Sequence, residues 1–184
     1  MMMLRPFVFF DLGQTLIDEW EFIDLFDTRF LEILNGFGAR LDRRNYTAVR
    51  DSVIRDRRIG TGSVRELILE VCNLLAPPGY GKVIASQLEP EIRKGRSASF
   101  KFSNDAPAML ERLLEMEIEM GLIANQSEDI AEILKKSGLE KFFSVKMISS
   151  SVKLAKPDPR IFQIALEKAR RSAKECIMVG DRLD

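Results

Sequence analysis

The chain has 184 residues, 46% hydrophobic and 30% charged, which suffices for one domain, or a core with one insertion, and excludes wholesale disorder. Its 28 Lys and Arg balance 28 Asp and Glu, so no basic excess points to nucleic acid or an anionic membrane. Histidine is absent, which excludes Ser-His-Asp and Cys-His catalysis, histidine-ligated zinc and a histidine pH switch.

Pro6 to Phe10 is a short apolar run ended by Asp11; it predicts a strand buried on both faces, as in a parallel sheet. It is too short for a membrane span or a signal-peptide core. Residues 18–100 then read as helical throughout. Phe22, Phe26, Phe30, Ile33 and Leu34 recur at helical spacing, as do Tyr46, Val49, Val53 and Ile54 after Asp42. Val64, Leu67, Ile68, Val71, Leu74 and Leu75 form a third stripe behind Thr61-Gly62-Ser63. Pro77-Pro78-Gly79 ends that helix, and Val83, Ile84 and Leu88 open another.

Alternation follows. Asn104-Asp105-Ala106-Pro107 predicts a helix start, the helix running to Glu117, and Met120–Ala124 a strand. Ser127 is placed to cap a helix carrying Ile130, Ile133 and Leu134, stopped by Gly138. A strand over Val145–Ser149 and a helix opened by Asp158-Pro159 precede a last apolar strand, Ile177-Met178-Val179, and then Gly180-Asp181. Helices alternating with buried strands mean βαβ units. The expected fold is α/β, a doubly wound parallel sheet formed by residues 1–17 and 101–184, with an all-helical insert over 18–100. Two cysteines, Cys72 and Cys176, make no disulfide framework, and a reducing, cytoplasmic compartment is expected.

Ligands of an open parallel sheet bind at the carboxyl ends of its strands. Asp11, Asn125, Lys156 and Asp181 each follow a strand candidate. Together they deliver carboxylate, amide, ammonium and carboxylate to one edge. Such a set suits phosphoryl transfer. Carboxylates can hold Mg²⁺, one can act as nucleophile, and a lysine neutralises phosphoryl oxygens. Main-chain N–H groups of the loop after Asp11 can cradle the phosphate.

These residues resemble a known family. Phe-Val-Phe-Phe-Asp11-Leu12-Gly13-Gln14-Thr15-Leu16, Gly-Leu-Ile-Ala124-Asn125, Lys156-Pro157-Asp158-Pro159 and Val-Gly180-Asp181 look like the four motifs of the haloacid dehalogenase (HAD) superfamily. The resemblance implies a Rossmann-like core under a helical cap of the C1 type, and a Mg²⁺-dependent phosphohydrolase of a small phosphorylated metabolite. It makes Asp11 the nucleophile and a metal ligand, and has Gly13 ligate the metal through its carbonyl. Lys156 would hold the phosphoryl group and Asp11 together, and Asp181 would be the acidic metal ligand. Leu12 and Gly13 would belong to the phosphate loop, with Thr15 bracing it. Asn125 would offer its main-chain N–H to the phosphate.

Three positions depart from the pattern. Gly13 stands where phosphatases of the family carry a second Asp, the general acid. Ala124 stands where a Ser or Thr would touch phosphate. The further acid expected after Asp181 is not reached by Asp184. Two alternatives stay open: a metal-independent 2-haloacid dehalogenase, whose branch also lacks the second Asp, and a degenerate, non-catalytic binding or regulatory protein. A core of this kind also implies about 40 further residues of helix and strand beyond Asp184, without which the strand ending at Val179 is a poorly covered edge.

Several residues have plainer readings. Asp158 before Pro159 is a helix cap. Lys153 competes with Lys156 for the lysine role. Gly60-Thr61-Gly62-Ser63 and Gly79-Tyr80-Gly81-Lys82 lack P-loop spacing and read as turns. Arg55-Asp56-Arg57-Arg58 reads as a solvated helix face.

Overall fold

The computed structural model describes residues 5–56, 64–98, 101–103, 105–127 and 129–181, with only the backbone at 93 and 96–98. Arg57, Arg58, the Gly60–Ser63 turn, Asn104 and Asp184 lie outside the described residues. The described residues form two compact units, one within 1–18 and 101–184, the other within 19–100.

The first unit is built on four parallel strands: β1 (Phe7–Phe10), β4 (Met120–Ala124), β5 (Val145–Ile148) and β6 (Cys176–Val179). Among the described residues their order is β5-β4-β1-β6. The chain therefore steps outward from β1 to β4 and β5, then crosses back to β6 on the other side of β1. That reversal makes a topological switch point between β1 and β6. Both central strands are buried along their whole length, which is why Phe-Val-Phe-Phe and Met-Gly-Leu-Ile-Ala read as unbroken apolar runs. On β6, Ile177, Met178 and Val179 are exposed, and the sheet ends there.

Helix α8 (Pro159–Ala169) covers one face, burying Ile161 and Ala165 against Phe7, Phe9, Ile123, Val145 and Met147. Phe7 and Phe9 point to the same side of β1, with ring centroids 4.6 Å apart. Gly121 lies opposite Phe9. A Cβ there would fall 2.7 Å from the Phe9 ring and 2.9 Å from the Phe7 ring. Glycine is needed at 121 because the two rings occupy the space of a side chain. Gly121→Ala is expected to lower the urea midpoint at unchanged slope, a loss of about 1–3 kcal/mol from overpacking.

Several boundaries differ from expectation. Helix α5 (Ala106–Glu115) stops two residues before Glu117, which takes a left-handed φ of 54°. Ser127 does not cap the next helix. The helix α6 (Ile130–Lys136) has Asp129 at its N-cap, and the Ser127 hydroxyl donates to the Asp129 carboxylate instead. Strand β5 ends at Ile148, because Ser149 opens the short helix α7 (Ser149–Val152) and turns its hydroxyl onto the Gln126 main chain. An unexpected two-stranded antiparallel pair joins β2 (Ile17–Asp18) to β3 (Lys101–Phe102).

The second unit contains α1 (Trp20–Gly36), α2 (Arg43–Arg55), α3 (Val64–Leu75) and α4 (Gly81–Ala98). Phe22, Phe26, Phe30 and Leu34 recur every fourth residue on the buried face of α1. Phe26, Phe30 and Leu34 pack with Tyr46, Val53, Ile68, Val71, Cys72, Ile84 and Leu88. Asp42 caps α2 by accepting the Asn45 N–H. The buried Asp27 carboxylate is satisfied by the Tyr46 hydroxyl at 2.8 Å and by Arg50 and Arg43. Gly79, at φ 90°, turns the chain between α3 and α4. No helix among the described residues is long and apolar enough to cross a membrane.

Candidate active site

Asp11 is the first residue beyond β1. Its N–H continues the ladder by donating to the Val179 carbonyl at 2.8 Å. The next residues form a tight turn in which the Leu12 carbonyl accepts from Thr15, Leu16 and Ile17 at 3.3, 2.9 and 3.0 Å. Leu12 and Leu16 have no exposed surface. These apolar anchors and the shared carbonyl hold the turn against the core. Gln14 sits at φ 56°, in the left-handed region. The Gln14 amide nitrogen and the Thr15 hydroxyl are buried without a hydrogen-bond partner among the described residues. Thr15 therefore stands in the loop it is expected to brace, and among the described residues it does so through its main-chain N–H and not through its hydroxyl.

Lys156 reaches Asp11. Its Nζ lies 2.7 Å from Asp11 Oδ2, with both side chains mostly buried. Asp11 Oδ1 accepts the Leu12 N–H at 2.7 Å. The carboxylate is thus oriented from both oxygens, one by a cation and one by the main chain. It is Lys156 whose ammonium meets Asp11; Lys153 ends the α7 turn at φ 57°. Asn125, one residue past β4, bonds to the Lys156 main chain twice. Asp181 follows β6. Phe10 lies opposite Val179 in register, so Asp181 reaches the edge one residue beyond the level of Asp11. A Cβ on Gly180 would come 3.4 Å from Asp11 Cβ.

Asp11, Lys156 and Asn125 are joined by direct contacts, and Asp181 comes to the same edge through strand register. Asp11 and Asp181 flank the switch point. Asp11 and Asp181 bring two carboxylates, oxygen donors only, to neighbouring strand ends. That chemistry fits Mg²⁺, which takes few protein ligands and keeps waters. No group of three or more Asp, Glu, Cys or His gathers among the described residues. Ala124 is fully buried at the end of β4 and contributes no hydroxyl.

The other candidates have structural explanations. Asp158 caps α8 by accepting the Arg160 N–H, and hydrogen bonds from Arg160 hold its carboxyl below the usual carboxylate range. Cys72 and Cys176 are free thiols. Burial pushes the Cys72 thiol up to about 12, far from a reactive thiolate. What the motif reading missed is the Asn125 side chain, for which only the main-chain N–H had a role. Its sole signal in the sequence is a carboxamide directly after an apolar strand. Gly180 is similar: its closeness to Asp11 depends on the β1–β6 register.

A sequence model of haloacid dehalogenase-like hydrolases matches residues 8–184. The pyrophosphatase PpaX of Listeria welshimeri is 37% identical over 70 residues, covering 38% of this chain and 32% of that protein. The glyceraldehyde 3-phosphate phosphatase of Pyrococcus abyssi is 25% identical over 181 residues, covering 96% of this chain and 73% of that protein. A HAD phosphatase from Thermococcus onnurineus shares the fold at a TM-score of 0.68 and 21% identity, covering 97% of this chain and 78% of that one. The match to the Listeria protein thus spans about a third of that relative's length.

Proposed function

Because the chain belongs to the haloacid dehalogenase-like hydrolase family, we propose that it is a Mg²⁺-dependent phosphohydrolase of a small phosphorylated metabolite. The observation that carries this reading is the Asp11–Lys156 pair at 2.7 Å on the carboxyl edge of a parallel sheet. Relatives named as phosphatases and a pyrophosphatase support the choice of phosphate esters as substrates.

A carboxylate oxygen of Asp11 attacks phosphorus, and the bond from phosphorus to the leaving oxygen breaks. The leaving oxygen takes a proton from water, since Gly13 offers none. Water then attacks the phosphorus of the aspartyl phosphate, which releases inorganic phosphate and regenerates the Asp11 carboxylate. Lys156 neutralises charge on Asp11 and on the phosphoryl oxygens. The main-chain N–H groups of Gly13 and Asn125 would serve as phosphate donors, and the Leu12 N–H, which donates to Asp11 Oδ1, would join them when that carboxylate turns to phosphorus. Asp11, the Gly13 carbonyl and Asp181 would hold Mg²⁺, which when bound supplies further charge neutralisation. We assign substrate choice to the helical unit, acting as a C1-type cap, and place the protein in a reducing cytoplasm.

The test is phosphate release by the purified protein from a panel of phosphomonoesters with and without Mg²⁺. Mg²⁺-dependent release supports the reading, and no release from any ester overturns it. Chloride release from a 2-haloacid without metal would instead assign dehalogenation. Gly180 offers a second check. Gly180→Val adds bulk beside Asp11, whose Cβ lies 3.4 Å from where a Cβ at 180 would stand. Turnover is expected to fall in the order Gly, Ala, Val, measured at saturating ester.

A further inference from the structure

We propose that Asn125 is a positioning residue that acts through Lys156. This inference rests on the phosphohydrolase reading of the same edge. Asn125 Oδ1 accepts the Lys156 N–H at 2.7 Å, and Asn125 Nδ2 donates to the Lys156 carbonyl at 2.9 Å. The two bonds close a ring between one carboxamide and one residue's main chain, 31 positions away. They grip the peptide groups on both sides of the Lys156 Cα and so fix the direction in which its side chain leaves the backbone.

That direction matters because of what the side chain must do. A lysine stem is long and has many rotamers to lose when it is held in one. Its ammonium must nevertheless stay 2.7 Å from Asp11 Oδ2, with the stem mostly buried. A fixed root leaves only the stem to order, and pre-orders the cation where phosphoryl charge develops. The bonds are specific to this residue. Neighbouring parts of the same loops have their own ties: Asp158 N–H to the Ala155 carbonyl at 2.9 Å, Ser150 N–H to the Gln126 carbonyl at 3.3 Å, and Ser149 to Gln126. The Asp158 bond closes the Lys156 loop on itself and the Ser149 and Ser150 bonds tie the Gln126 loop to α7, so each loop keeps a tie of its own when Asn125 is changed. Asn125 adds the aim of Lys156.

The experiment compares native protein with Asn125→Ala, which loses both bonds, and Asn125→Asp, which keeps an acceptor and loses the donor. Two readouts are taken: kcat with an activated aryl phosphate, and the acetylation rate of each lysine by peptide mass spectrometry. In Asn125→Ala, kcat is expected to fall on the order of 10- to 100-fold, with a thermal midpoint close to native. Acetylation is expected to speed up several-fold at Lys156 and to stay unchanged at Lys146, Lys153 and Lys168. Asn125→Asp falls between native and Asn125→Ala on both readouts, and decides the matter if Asn125→Ala does not fold. Unchanged labelling of Lys156 in a folded variant overturns the proposal, as does labelling that rises equally at the neighbouring lysines. If native protein releases no phosphate, the functional reading fails, and Lys156 labelling alone still tests the positioning.

Discussion

Asp11→Asn is expected to abolish phosphate release, with a loss on the order of 10⁴-fold or more, the scale of removing a nucleophile. The substitution is nearly isosteric. The carbonyl oxygen of Asn can still accept the Leu12 N–H that Asp11 Oδ1 accepts at 2.7 Å. What disappears is the negative charge that faces Lys156 and that the proposed mechanism uses to attack phosphorus. Binding should outlive turnover, because Lys156 is released from its carboxylate partner and remains free to hold phosphate. The measurement is steady-state phosphate release beside inorganic phosphate affinity, with a thermal scan to show that the sheet persists. Residual turnover within a factor of ten of native would remove Asp11 from the chemistry.

Gly13→Asp is expected to raise activity, and selectively. Two residues after the nucleophile, an Asp would stand in the turn closed on the Leu12 carbonyl, where the leaving oxygen departs. A general acid contributes roughly 10²–10⁴-fold. The gain should appear with alkyl phosphates, whose leaving groups need a proton, and nearly vanish with an activated aryl phosphate, whose leaving group does not. Activity toward alkyl phosphates should also fall as the new acid ionises with rising pH. An equal gain on both substrate types would show that the missing acid is not the limitation, and no gain on either would show that Gly13 has another purpose.

The central sheet was legible because its strands are buried on both faces. Phe7–Phe10 and Met120–Ala124 carry no polar residue to interrupt them, and each ends where a polar residue begins. The helical unit was legible for the complementary reason, since Phe30, Ile33 and Leu34, spaced by three and four, share a face in a helix and not in a strand. The pair β2–β3 was not legible: two residues per strand carry no periodicity, and the pairing of Ile17 with Phe102 is set by where the helical unit returns. Ser127 was misplaced as a cap because local propensity cannot foresee a bond to Asp129.

Much of the candidate site could be read from position alone. Asp11, Lys156 and Asp181 are charged residues after apolar strands, and strand ends converge in a parallel sheet. The contacts among them could not be read in this way. Whether Lys153 or Lys156 meets Asp11 depends on how the α7 turn spends its residues, with Lys153 left-handed and Ala155 buried. The grip of Asn125 on Lys156 joins two loops through side-chain geometry, which no spacing in the chain reports.

The central claim is that Asp11 becomes covalently phosphorylated. The direct measurement is rapid acid quench during turnover of an aryl phosphate, followed by peptide mass spectrometry. The account predicts a phosphoryl group on the peptide carrying Asp11, removed by neutral hydroxylamine and absent from Asp11→Asn. Turnover that proceeds with Asp11 unmodified, or a phosphoryl group on any other residue, would contradict it.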